Sequence, residues 1–227
     1  MIIFYTKDAE EVVLASIVKH SNPNSMLVEY SDNTDILRIA KIHNDPHFVR
    51  IKDYKLAIIN KYEFPSWIKN ESRLRFIELV LANEDTVSNE LVTHLAKNLF
   101  NPELLFYSSL DKTLLFKNRA MQVINELGIF KKHGRKFYSN GLLHYEINPK
   151  NDISLLFVKD LMETIYEPFI VLNGNAALVG NAEFLGFSKN IVDLSRYDAL
   201  KLKKTLIVKA AKRQEVKATI PTRICEF

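Results

Sequence analysis

Cysteine, glycine and long apolar runs are all scarce in this chain. Its single cysteine among 227 residues, Cys225, has no partner for an internal disulfide, which fits a reducing compartment. With no cysteine cluster, a structural zinc centre is not expected either. Its six glycines form no Walker-type loop, no Rossmann fingerprint and no nucleophile elbow. Three of them fall in NGNAALVGNAEFLGF, which nothing places at a helix N-terminus facing a phosphate. Apolar runs such as residues 1–5 and 169–172 fall far short of the roughly 20 residues that span a bilayer. Met1 leads straight into Ile2, Ile3, Phe4 and Tyr5, without the basic segment and small-residue cleavage site of a signal peptide. These absences predict a cytoplasmic protein (host cytoplasm for a viral one) with no membrane partner.

What is present is ordinary globular composition, 47% hydrophobic and 26% charged, which excludes a disordered or fibrous chain. The net charge of +4 is modest. Much of it sits in Lys131, Lys132, Arg135 and Lys136 and in residues 201–223. It permits contact with phosphates without requiring it. Lysine outnumbers arginine 22 to 9, a bias that goes with AT-rich genomes, those of phages included.

The hydrophobic pattern predicts an α/β protein: a parallel-sheet N-terminal domain with a helical segment, plus a smaller mixed α/β C-terminal domain. Residues 1–5 read as a strand, 10–20 as a helix, 26–30 as a second strand, 34–42 as a short helix and 54–60 as a third strand. Strand–helix–strand at this spacing implies a parallel sheet. After Pro65 the pattern turns helical, with Ser66 or Asn70 as caps for a helix within 67–82. Val87, Leu91, Leu95 and Leu99 make a stripe at four-residue steps. Further helix over 104–125 ends near Gly128. Asn140-Gly141 marks a type I′ hairpin within 134–147. Helix over 155–166, a buried strand over 169–172, a turn at 173–175 and strands over 205–210 and 216–220 follow. The predicted domains are residues 1–128 and 134–227.

Several side-chain groups invite a functional reading, each beside a plainer one. His43, Asp45 and His47 in HNDPH have metal-binding chemistry, and equally the composition of a turn. Asp8 and Glu10 follow the first strand, where ligands bind in parallel α/β sheets. Acidic residues in a helix's first turn are also favourable for electrostatic reasons alone. Residues 91–147 fit three helices and a wing, which would put Lys131, Lys132, Arg135 and Lys136 against a nucleic-acid backbone. An ordinary hairpin with a solvated basic edge fits them as well.

IIFYTKDAEEVVLASIVKHSNPNSMLVEYSD resembles the opening of the DHH phosphoesterase superfamily, in the small forms of bacteria and their phages. That family's first strand ends in Tyr-His-x-Asp-x-Asp-Gly or a close variant, followed by a pair of small residues. Here Tyr5 matches, Asp8 stands at the first aspartate, Glu10 replaces the second, and Ala15 and Ser16 approximate the small pair. LAIINKYEFP resembles the third motif-bearing strand, with Lys61 (or Asn60) where the family has a metal-binding aspartate. SNELVTHLAKNLFNPELLFYSSLDKTLLF is similar to the helical stretch that ends at a further metal-site aspartate, here Asp111. EPFIVLNGNAALVGNAEF and RYDALKLKK resemble the second domain. The departures are as informative. Thr6 replaces the first histidine and Glu11 the glycine, VLANEDTV stands where Asp-His-His is expected, and the C-terminal glycine-rich histidine motif is missing.

Active members of that family are thought to use two manganese ions. The resemblance therefore implies a pseudoenzyme that binds a nucleotide or nucleic acid in the cleft between its domains, or a protein partner or second copy of itself. Asp8, Glu10, Lys61 and Asp111 would line that degenerate cleft. A residual manganese site on Asp8, Glu10 and Asp111 would instead leave a metal-dependent phosphodiesterase. The winged-helix arrangement and a purely structural or assembly subunit are the remaining readings.

Overall fold

The computed structural model describes residues 1–31, 36–42 and 47–203. The chain divides into two compact units, Met1–Glu126 and Leu127–Phe227.

In the first unit the N-terminal apolar run becomes β1 (Ile2–Tyr5), buried at every position. It is the centre of a three-stranded parallel sheet. Helix α1 (Ala9–Ser21) leads to β2 (Met26–Glu29), then α2 (Ile36–Ile42) to β3 (Phe48–Arg50). β1 pairs in parallel with β2 from Ile2↔Met26 and with β3 from Ile2↔Phe48. Phe4 meets Tyr30 and Phe48 edge-on, with ring centroids 6.5 and 6.0 Å apart, which locks these strands by side-chain packing as well as by their ladders. All of Val12–Val18 is buried, because α1 packs against α5, α3 and β1 at once. A helix apolar all round is a core helix.

The third strand lies at 48–50, not at 54–60. Residues 54–60 belong to α3 (Ile51–Lys61). Its buried side chains are Ile51 and Ile58, seven residues and two helical turns apart, while Tyr54, Leu56 and Ile59 face outward. An unbroken apolar stretch such as Leu-Ala-Ile-Ile does not by itself distinguish strand from helix. Phe48–Arg50 already fills the ladder beside β1, so burial decides in favour of helix.

The helical part follows the expected order. Asn70 caps α4 (Glu71–Ala82) through its side chain to the Arg73 N–H. Trp67, in the preceding turn, is buried with its indole N–H donated to the Leu99 carbonyl at 2.6 Å. Helix α5 (Ser88–Lys97) buries Leu91 and Leu95, with Leu99 buried just beyond it, whereas Val87 is its exposed N-cap. Helix α6 (Asp111–His133) buries Thr113, Phe116, Ala120, Val123 and Leu127 at alternating three- and four-residue steps. It does not stop near Gly128 but continues to His133. An internal glycine costs only about 1 kcal/mol, and the first residue beyond, Gly134, ends the helix. A Cβ there would lie 2.5 Å from the Phe130 carbonyl oxygen.

The second unit carries a five-stranded sheet in the order β4-β5-β6-β7-β8. β4 (Arg135–Ser139) and β5 (Leu142–Ile147) form the expected hairpin, with Asn140 and Gly141 at φ 53° and 77° as a type I′ turn requires. β5 runs parallel to β6 (Phe169–Asn173) through α7 (Ser154–Met162). β7 (Ala176–Gly180) and β8 (Ile191–Ser195) continue antiparallel, and α8 (Arg196–Lys201) follows. One face packs Tyr145 and Phe169 with Phe157 of α7. The other packs Leu142, Ile170, Leu172 and Val179 with Ala199 of α8. The expected strands at 205–210 and 216–220, with Cys225, lie outside the described residues.

Candidate functional site

Strand order β2-β1-β3 means that the chain leaves β1 to one side and returns on the other, so the topological switch point falls between β1 and β3. At the carboxyl end of β1, Asp8 is the N-cap of α1, its Oδ1 accepting from the Glu10 and Glu11 N–H groups at 2.9 and 3.1 Å. Glu11 reaches back to accept the Thr6 N–H at 2.8 Å, a relative of the capping box. Glu10 pairs with Lys55 of α3 at 2.5 Å. Both partners are exposed, so the pair adds little stability, yet it occupies the carboxylate. At the end of β3 stands Arg50, whose Nε donates to the Tyr30 hydroxyl at 3.1 Å while its guanidinium lies 5.0 Å from that ring and 3.4 Å from Asp53.

Between α5 and the start of α6 the unit has a cavity of about 310 Å³. The buried Tyr5 hydroxyl donates to Asn89 Oδ1 at 2.5 Å, and burial together with Glu29 keeps that phenol well above its ordinary range. Asn89, Glu90, Thr93, His94 and Lys97 of α5 line the cavity, joined by Lys112 of α6. Their one-, three- and four-residue spacing places them on one stretch of helix surface. Glu90 is the single carboxylate in this lining and pairs with Lys112 at 3.2 Å. His94 is buried, with Nε2 3.3 Å from the Thr113 hydroxyl, which donates to the Leu104 carbonyl. Burial first, then Lys112 and Lys97, pushes its pKa down. The wall is thus cationic, two ammonium groups against one carboxylate, and suits an anion.

The other expected residues fall as follows. Asp111 is the exposed first residue of α6. Lys61 ends α3 with its ammonium 5.4 Å from the Tyr62 ring, so it does not stand at the end of a sheet strand as the resemblance implied. Arg50 does. His43 and Asp45 lie outside the described residues, and His47 contributes its carbonyl to the Ile2 N–H at 2.9 Å. Among the described residues no three His, Cys, Asp or Glu side chains form a group that could hold a metal ion. Asp8, Glu10 and Asp111 are not brought together into such a group. In the basic run, Lys131 pairs with Asp160 at 2.8 Å and Arg135 with Glu146 at 2.9 Å. Lys136 lies 5.3 Å from the Tyr145 ring, and Lys132 is exposed. Their hairpin is the edge of a five-stranded sheet, because β5 pairs onward with β6. It is not the free wing of a winged helix.

Arg50, Lys55, Lys97 and Lys112 were not legible as site residues. Arg50 had a signal, since Phe48-Val49-Arg50 follows a turn-forming Asn-Asp-Pro as a short strand would. Lys97 and Lys112 come together only through the packing of α6 beside α5.

No protein-family model and no curated protein matches this chain. Among solved structures it is similar to one described as a pGpG-specific phosphodiesterase, PggH, from Vibrio cholerae. That likeness has a TM-score of 0.48 and 12% identity over 96% of this chain and 99% of the other. It is also similar, at a TM-score of 0.23 and 8% identity over 95% of this chain and 98% of the other, to an uncharacterized protein from Helicobacter pylori G27.

Proposed function

We propose that this chain is a catalytically degenerate protein of the DHH phosphoesterase type that binds a nucleotide by its phosphate. The observation that carries this reading is the cavity on α5 and α6, where Lys97 and Lys112 face a single carboxylate, Glu90. Charge-assisted hydrogen bonds from the two ammonium groups suit a phosphate, while the Thr93 hydroxyl is donated to the Asn89 carbonyl at 2.7 Å. Asp8 and Glu10, the carboxylates expected to hold metal, are engaged by the α1 N-terminus and by Lys55.

The test is calorimetric titration with manganese and, separately, with a nucleoside monophosphate, followed by a phosphodiesterase assay in the same buffer. Metal-independent nucleotide binding, weakened roughly tenfold in Lys97→Met or Lys112→Met, without turnover, is expected. Stoichiometric manganese binding with turnover abolished by Asp8→Ala would sink the proposal and make the chain a metal-dependent phosphodiesterase.

A further inference from the structure

A second cavity, about 490 Å³, lies wholly in the second unit and plays no part in the proposed nucleotide binding. Its size is within the roughly 300–1,000 Å³ typical of small-molecule sites. Five separate pieces of chain meet there: the last turn of α6, the start of β4, the end of β5, the β6–β7 turn and the first residue of α8. Two of the lining residues are glycines. Gly134 stands where a Cβ would strike the Phe130 carbonyl, and Gly174 has φ +56°. Each turns the backbone sharply without putting a side chain into the space.

The wall has two chemical halves. Ile129, Phe130 and Ile147 supply an apolar surface, and Ile129 is well exposed to solvent. The lining also holds Arg135, Arg196 and His133, with Glu146 as its single carboxylate. Glu146 gives one oxygen to each guanidinium, Oε2 to Arg135 at 2.9 Å and Oε1 to Arg196 at 2.5 Å. Arg196 also donates to the Gly174 carbonyl at 3.2 Å. These contacts hold the carboxyl below its usual range, through the Arg196 hydrogen bond above all. A structural tie between α8 and the sheet needs only Arg196, which is the better shielded of the two. Arg135 is 76% exposed and gains little from pairing, yet it is turned to the same carboxylate at the cavity's edge. One carboxylate shared by two guanidiniums leaves an excess positive charge beside an apolar wall, and arginine's planar fork matches phosphate and carboxylate geometry.

We propose that this cavity binds a small organic anion, a phosphate ester or carboxylate on a flat apolar body. Arg135 and Arg196 clamp the anionic group, the body lies on Ile129, Phe130 and Ile147, and Glu146 is the internal counter-ion that the ligand displaces.

Phenyl phosphate is the probe, with benzoate, inorganic phosphate and uncharged phenol as comparisons, titrated into the full chain while the Gly134 and Gly174 amide resonances are followed. Both amides shift with phenyl phosphate or with benzoate, and whichever acts at lower concentration identifies the preferred head group. Inorganic phosphate, lacking the apolar body, binds more weakly. Glu146→Gln tightens binding roughly fivefold by removing the competing carboxylate, and Arg196→Gln weakens it roughly tenfold. Lys97→Met and Lys112→Met, in the other cavity, leave these shifts unchanged. The inference is overturned if neither amide responds in the wild-type protein, if phenol binds as well as the two anions, or if Arg196→Gln changes nothing. Loss of phenyl phosphate binding only in the Lys97 and Lys112 variants would also overturn it while leaving the nucleotide proposal standing.

Discussion

His144 and His94 are buried imidazoles with different surroundings. His144 lies in the middle of β5, stacked on Phe137 at 4.9 Å, its Nδ1 bonded to the Leu142 carbonyl and its Nε2 without a partner among the described residues. Burial lowers its pKa against the opposing effect of that backbone bond. His94 is lowered by burial and by Lys112 and Lys97. In both cases the unfolded chain protonates before the native one, so the unfolded state binds more protons as the pH falls. Stability contributed by the neutral imidazoles is complete above the ordinary histidine value of 6.5 and declines below it, down through the depressed native pKa values. Urea unfolding between about pH 7.5 and 5 should show this loss, and His144→Leu should flatten it. An unchanged slope in His144→Leu would mean that His144 titrates normally in the folded protein.

At the scale of elements, two glycines make opposite predictions. Gly128 is exposed inside α6 with open space where its Cβ would point, so Gly128→Ala should stabilise the protein by about 0.5–1 kcal/mol through helix propensity. Gly180 of β7 sits opposite Phe169, and a Cβ there would come within 2.3 Å of the buried ring. Gly180→Ala should therefore destabilise by about 1–3 kcal/mol, measured as a lower denaturation midpoint at unchanged m-value. The expected helix stop at Gly128 and the expected third strand at 54–60 fail for one reason. Local signals name which residues are apolar or flexible, whereas α6 and α3 are set by which of those residues another element covers.

For the molecule as a whole, ligand binding should appear as stability by mass action. If phosphate is held by lysines, a nucleoside monophosphate raises the melting temperature with ligand concentration, and manganese leaves it where it was. A rise with manganese alone would show that carboxylates converge after all. Among the described residues no helix is long and apolar enough to cross a membrane.

The sequence alone determined the α/β class, the parallel start, the Asn140-Gly141 hairpin, the helical spacing of α1 and the apolar stripe of α5, and it narrowed the cap of α4 to Ser66 or Asn70. All of these rest on periodicity and turn chemistry within a few residues. Asp8 and Glu10 were rightly placed just after β1 because chain order puts them there. Tertiary structure decided the rest. It assigned the third strand to Phe48–Arg50, put Arg50 rather than Lys61 at its end, and turned Asp8 and Glu10 into a cap and an ion pair. It also drew Lys97 to Lys112, and Arg135 to Glu146 and Arg196. Lys97 and Lys112 are 15 positions apart and Arg135 and Arg196 are 61 apart, and proximity across such intervals comes from packing, which no local pattern encodes; Arg135 meets Glu146 across the hairpin.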